Sequence, residues 1–220
     1  IPVTVKMRIG TLRSGQPDLA LAMQRFDEAD YDRLADFLVA IRAVGVDCAI
    51  VHARRAVLGN WSPADNREIP PLRYDIVRRL KEDFPDLPVV LNGGLRTAGP
   101  CVEALEWADG VMIGREAYHR PMVLGELYAA LAPESYRPLT VAEHLERMAG
   151  YAEREMTRGE RLPAITRHLL GLVSHVPGAR EFRRLLSEGA RVPGAGPDLL
   201  REAGRVCEGG GLVPGPAALS

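Results

Sequence analysis

The stretch PVVLNGGLRT, residues 88–97, lies shortly before ADGVMIGREA, residues 108–117. Each holds a short apolar run, rich in β-branched residues, that stops on glycine. One stop is preceded by Asn92 and the other is followed by Arg115. A strand needs no glycine to end, but a backbone that something approaches closely does.

Working outward, VTVKMRI (3–9) and DCAIVHA (47–53) read as two further strands, beside 88–92 and 109–113. All are nearly continuous apolar runs, as strands buried on both faces should be. Helical periodicity falls between them. Asp30 would cap a helix over 31–44 with Leu34, Phe37, Leu38 and Ile41 on one face, and further helices are expected over 73–84 and 98–107. Residues 10–28, punctuated by Gly and Pro, read as a loop. Residues 54–72 form a second loop, containing NWSPADNREIPP, of a length that usually marks function. Alternating strands and helices predict a parallel α/β sheet. These four strands are too few to close a barrel of about eight.

The pattern then becomes all helical. TVAEHLERMAGYAEREM (140–156) opens with a capping box, Thr140 and Glu143, and carries an apolar stripe of Val141, Leu145, Met148 and Ala152. Further helices are expected at 163–173, 179–188 and 197–207. The expected organisation is an α/β domain over 1–130, a small all-α domain over 131–207 and a Gly/Pro-rich disordered tail over 208–220.

Bulk composition bounds the function. The 220 residues are 46% hydrophobic and carry a formal net charge of −1, so no global basic field is present, though a local basic patch can still be. Cys48, Cys101 and Cys207 are isolated, which reads as reduced thiols in a cytoplasmic protein. No apolar run reaches the ~18 residues of a membrane span. The histidines are scattered and none pairs at ligand spacing, so no metal site is expected. The chain enters a strand at once without an initiator Met, which suggests a longer protein.

In parallel α/β folds, the working residues sit at the C-terminal ends of strands. Those ends offer Lys6 and Arg8, then His52, Arg54 and Arg55, then Asn92, Gly93 and Gly94, then Gly114 and Arg115. Cations, an amide and bare backbone suit an anionic, planar ligand, and the two glycine stops read as a phosphate cradle with Arg115 as counter-ion. A helix-entry turn would also use Gly93 and Gly94, and Arg54 and Arg55 could belong to a solvated loop. Arg180, Arg183 and Arg184 share one helix face, opposite Phe182 and Leu186, a stripe able to hold phosphates without reading bases.

Together PVTVKMRIG, IVHARRA, WSPADNREIPPL, LNGG, DGVMIGREAY and ITRHLLGLVSHVPGAREFRRLLSE closely resemble the A-type tRNA-dihydrouridine synthases, over nearly the whole chain except 11–28 and the tail. The resemblance implies a TIM barrel followed by a helical domain, with this chain holding the C-terminal half of the (β/α)8 barrel. It implies reduction of a uridine in the D-loop region of tRNA to 5,6-dihydrouridine, with FMN as cofactor and NADPH as reductant. It matches Lys6, His52, Asn92, Gly93, Gly94, Gly114 and Arg115 to FMN-binding positions, and Arg67, Arg180 and Arg183 to tRNA-binding positions. The catalytic cysteine of the family belongs to the first half of the barrel. None of the three cysteines here lies in that motif, so no catalytic residue is expected in this chain, and the fragment alone is expected to be inactive. The full-length protein is expected to be a monomer. Ala64 stands where many relatives have a lysine, which removes one expected RNA contact. Two other readings stay open: an inactive, truncated RNA-binding module, and another FMN-dependent TIM-barrel oxidoreductase acting on a small molecule.

Overall fold

The structure, a computed structural model, describes residues 1–174 and 178–209. By contact it divides into two compact units, one over Ile1–Gly114 and one from Arg115 onward. Helices α6 (Arg115–His119) and α7 (Val123–Leu131) therefore group with the helical part and not with the sheet.

The first unit is built on β1 (Thr4–Arg8), β3 (Cys48–His52), β5 (Val89–Asn92) and β6 (Gly110–Met112), parallel throughout and in the order β1-β3-β5-β6. The connecting helices are α2 (Glu28–Ala43), α4 (Tyr74–Asp83) and α5 (Ala98–Leu105). The strand order advances in one direction without reversal. Right-handed crossovers then place every connecting helix on the same sheet face. Burial agrees: Ala49, Val51, Val89 and Leu91 are buried, as are Leu34, Leu38 and Ile41 of α2, Val77 and Leu80 of α4, and Cys101 and Ala104 of α5. On the opposite face Ile50, His52, Val90 and Met112 are only partly covered and Lys6 is exposed. Across α2 and α4 the Tyr31 hydroxyl donates to Asp83, and Arg79 pairs with Glu28 at 2.8 Å.

Several expectations shift. Helix α2 starts three residues before the expected 31, and its cap is Asp27, which accepts from the Asp30 N–H at 3.0 Å while Asp30 returns a bond to the Asp27 N–H. Phe37 is exposed, and Tyr31 takes a buried position instead. The segment expected as a loop over 10–28 contains β2 (Thr11–Arg13) and the short helix α1 (Leu19–Gln24). Strand β2 pairs in parallel with β4 (Ala56–Leu58), so a second ladder continues beyond β1 and β3.

In the second unit, α8 (Val141–Thr157) carries the expected box: Thr140 accepts from the Glu143 N–H at 3.1 Å and Glu143 accepts from the Thr140 N–H at 2.7 Å. Helices α9 (Leu162–Thr166), α10 (Ala179–Glu188) and α11 (Asp198–Gly209) pack with it around Leu145, Ala149, Ile165, Phe182, Leu186 and Leu200. Helix α9 stops well before 173, because the chain turns through i→i+3 bonds from Leu169 N–H to Thr166 and from Leu172 N–H to Leu169. Gly204 lets α11 lie flush on α8, since a β-carbon there would stand 3.2 Å from Ala142 Cα. Of the tail expected over 208–220, residues 208 and 209 close α11, and the rest lies outside the described residues.

Phe182 is fully buried, so Phe182→Ala should lower unfolding free energy by about 3–5 kcal/mol. Thr140→Ala should cost about 1 kcal/mol through loss of the cap. Denaturant titration checks both, and a larger loss from the cap than from the core would contradict this packing.

Candidate functional site

Register brings the strand ends into one row. Arg8 lies opposite His52, His52 opposite Asn92, and Asn92 opposite Met112. Lys6 lies two residues back on β1, on the same side of the sheet as Arg8. Asn92 is 8% exposed, and its Nδ2 donates to the Met112 carbonyl at 2.8 Å, tying β5 to β6 where the two strands end.

Gly93 and Gly94 follow with φ of 111° and 71°, in the left-handed region that favours glycine. A β-carbon on Gly93 would stand 3.2 Å from both His52 Nε2 and Leu72 Cδ2, and one on Gly94 would collide with Leu72 and lie 3.1 Å from the Tyr74 hydroxyl. The Tyr74 hydroxyl donates to the Gly93 carbonyl at 2.5 Å. Burial raises the Tyr74 pKa, and Arg54 nearby opposes the shift. The body that approaches this backbone closely thus includes the chain's own His52, Leu72 and Tyr74. A left-handed Gly93–Gly94 turn thus closes β5 beside the row. Gly114 is exposed with open space beyond its Cα, and the exposed Arg115 follows it as the first residue of α6.

The long loop after β3 is held by arginines. Arg8 Nη1 donates to the carbonyls of Arg55, at 2.9 Å, and Asn66, at 2.8 Å. Arg54 Nη1 donates to the carbonyls of Glu68, at 3.1 Å, and Pro70. The Asn66 side chain accepts from the Val57 N–H at 2.7 Å and donates to the Val57 carbonyl at 2.9 Å, completing the edge of β4. Arg55 is 6% exposed, pairs with Asp30 of α2, and stacks 4.7 Å over Phe26. Neither Arg54 nor Arg55 belongs to a solvated loop. Arg67 sits on the short helix α3 (Asp65–Glu68), half-buried, and its charge acts on Arg8. Burial chiefly, and then Arg54 and Arg67, lower the Arg8 pKa.

In the second unit Arg180, Arg183 and Arg184 are exposed on α10, while Phe182 and Leu186 on the other face are buried. Arg183 donates weakly to the Val173 carbonyl at 3.4 Å. The α8–α11 side is neutralised differently: Arg201 bonds Glu146, Glu153 and Asp198 at 3.0, 2.8 and 2.8 Å.

Sequence reasoning missed Leu72, Tyr74 and Asn66 as shapers of the site. Asn66 precedes the candidate Arg67, but no local pattern marks an asparagine that completes a strand edge. Among the described residues no group of His, Cys, Asp or Glu is placed to hold a metal ion, and no helix is long and apolar enough to cross a membrane.

A one-directional parallel sheet whose strand ends carry cations, an amide and a left-handed glycine turn defines the class: an α/β protein. The family model described as dihydrouridine synthase (Dus) matches residues 1–204, and the chain belongs to that family. It is 45% identical over 204 residues to a tRNA-dihydrouridine(20/20a) synthase of Xanthomonas axonopodis pv. citri, covering 92% of this chain and 56% of that protein. A protein of the same name from Pseudomonas aeruginosa is 44% identical over 187 residues, covering 85% of this chain and 52% of that one. The chain spans about half the length of the curated relatives it matches. A crystal structure of mandelate oxidase aligns over 83% of this chain and 54% of that one at 16% identity, with a TM-score of 0.34, too loose a likeness to argue from.

Asn66→Ala should loosen the 59–70 loop by removing two bonds to Val57. A cost of about 1–3 kcal/mol is expected, together with faster amide exchange and proteolysis confined to that loop. Uniformly faster exchange across the sheet would show that Asn66 serves the global fold instead.

Proposed function

We propose that this chain is the C-terminal half of a TIM barrel followed by a helical domain, in a cytoplasmic enzyme that reduces a uridine in the D-loop region of tRNA to dihydrouridine. The observation that carries this reading is the row of Arg8, His52 and Asn92 leading into a left-handed Gly93–Gly94 turn. A glycine turn of this kind, with cationic side chains at neighbouring strand ends, fits the phosphate of a mononucleotide cofactor. The half-covered sheet face, bearing Ile50, Val90 and Met112, fits a barrel interior whose other strands lie outside this chain.

Lys6, His52, Asn92, Gly93, Gly94, Gly114 and Arg115 would hold FMN, which when bound supplies hydride transfer, recharged by NADPH. Gly93 and Gly94 would offer backbone N–H groups to its phosphate, with Arg115 as a counter-charge. Lys6 would place a positive charge near the ring, where it stabilises negative charge. His52 would orient the cofactor, its ring lying beside Gly93. The proton acid, a cysteine, would come from the first half of the barrel, so the 220-residue chain alone would be inactive. The target uridine must leave its stack, which is unfavourable unless the RNA is held firmly. Arg67 of the loop and Arg180 and Arg183 of α10 would do that holding through phosphates. The full-length protein would act as a monomer.

The test is to purify the full-length protein beside the 220-residue chain, and to assay flavin absorbance and NADPH-dependent dihydrouridine formation in tRNA. Activity should appear only in the longer form. Arg115→Ala in that form should weaken FMN binding by about 1.5–3 kcal/mol. A colourless full-length protein, or one whose flavin affinity ignores Arg115, would overturn the cofactor assignment.

Replacing Arg180 and Arg183 together by alanine should weaken tRNA binding and flatten its salt dependence by about two counterions' worth. FMN content should stay constant. An unchanged salt slope would leave α10 as an ordinary solvated face.

A further inference from the structure

We propose that the helical unit sets where Arg115 presents its charge: the turn after α9 holds α6 in place, with His168 as the positioning residue. This rests on the reading above, in which Arg115 is a counter-charge to FMN.

Helix α6 has five residues, Arg115–His119. A helix that short does not hold its own shape in water, so its direction depends on what it packs against. Arg115 opens it, and three of the four residues that follow are anchored within the second unit. Arg120 bonds Glu116 at 2.7 Å and Glu126 of α7 at 3.3 Å, tying the two helices together. The Tyr118 hydroxyl lies 3.0 Å from His168 Nδ1, and the two rings meet edge to face at 5.8 Å. The His119 carbonyl rests on Gly171. A β-carbon there would collide with the carbonyl oxygen and stand 2.7 Å from the carbonyl carbon. Gly171 is not in the left-handed region, so close approach and not backbone freedom is what calls for glycine.

The His168 ring is itself oriented. Arg167 Nε donates to His168 Nε2 at 3.0 Å. An arginine nitrogen can only donate, so Nε2 is the acceptor and the ring proton stands on Nδ1. Nδ1–H therefore donates to the Tyr118 oxygen. Arg167, His168 and Gly171 thus make one turn that grips the end of α6, while Arg115 stands at its beginning. A slight rotation of so short a helix re-aims its first side chain. A charge-assisted bond to an anion depends on that aim.

The test measures FMN affinity of the full-length protein by equilibrium dialysis, with tRNA affinity beside it. His168→Ala and Tyr118→Phe should each raise the FMN Kd about three- to tenfold, as for one lost hydrogen bond. Gly171→Ala should raise it at least as much; where that variant fails to fold, the other two decide. His168→Asn, whose amide nitrogen can stand in for Nδ1, should recover most of the affinity. In an Arg115→Ala background, His168→Ala should add no more than about a twofold loss, as expected for residues acting through one another. His168→Ala should leave tRNA affinity at the parent value. Thr140→Ala, which weakens the same unit at the α8 cap, should leave FMN affinity unchanged. Parent-like FMN affinity in both His168→Ala and Tyr118→Phe would overturn the proposal. Multiplicative losses in the double variant would do so by separating His168 from Arg115, and an equal loss in Thr140→Ala by making the effect one of general destabilisation. Lost tRNA affinity with intact FMN affinity in His168→Ala would overturn it by placing His168 on RNA. If Arg115→Ala alone leaves FMN affinity intact, it is the counter-charge reading that fails, and the role of His168 falls with it.

Discussion

A parallel strand can be reached only by a crossover, and a right-handed crossover lands on one predetermined face of the sheet. In this chain the strand order β1-β3-β5-β6 never reverses, so the constraint acts the same way three times. Helices α2, α4 and α5 all collect on one side, and every strand ends at the same edge. A reversal of order would have divided the helices between two faces, as in a doubly wound sheet. The row of Arg8, His52, Asn92 and Met112 is a direct product of this geometry together with register. One residue of slip would have moved each of these side chains to the helix-covered face. The same constraint explains why the opposite face, with Lys6, Ile50, Val90 and Met112, is only partly covered by these helices.

Once strands end at one edge, the loops leaving them carry polar backbone that must find partners. Here much of that demand is met by arginine. Arg8, Arg54 and Arg55 each donate to main-chain carbonyls, at Asn66, Pro70 and Ala22 among others. A guanidinium suits this because its planar set of donors can serve two carbonyls at once and it keeps its charge when partly buried. Arg55 adds an ion pair to Asp30 near the start of α2 and a stack on Phe26, so a single side chain joins β4's approach, the 11–28 segment and α2. Basic residues at the strand ends therefore do two jobs. Some are structural, and their charge stays in the site while their donors do not.

That division was not legible in the sequence. HARRA announces cations at a strand end but cannot say that Arg55 turns inward to Asp30 while Arg54 turns to Pro70, because both partners lie more than ten residues away. The glycine pair was legible as a special backbone, and its positive φ values bear that out, but Leu72 and Tyr74 as its close neighbours depend on how the long loop returns. Strands β2 and β4 have three residues each, too short for any periodicity to show. Between Asp27 and Asp30 both positions suit a cap, and only the reciprocal bond seen in the structure decides which is the cap and which the third helical residue. By contrast, the α8 box was readable because Thr140 and Glu143 stand at the required spacing before a strong apolar stripe. Local signals gave local structure, and what failed were contacts between segments distant in sequence.

The helical unit shows the same point in its charges. Counting arginines does not identify an RNA-binding face, because an arginine ringed by carboxylates projects little field. Arg201 is such a residue: Glu153, Asp198 and Glu146 all bond it, holding its proton more tightly than usual. It joins α8 to α11 and is locally neutral. On α10, Arg180, Arg183 and Arg184 point outward with no carboxylate paired to them among the described residues, while Phe182 and Leu186 hold the helix to the core. The chain's net charge of −1 is therefore compatible with a local positive field at α10, where three exposed arginines outnumber Glu181 and Glu188 and none is ringed by carboxylates as Arg201 is. The exposed arginines of α10 therefore project more field into solvent than Arg201 does, although all are arginines of one helical unit.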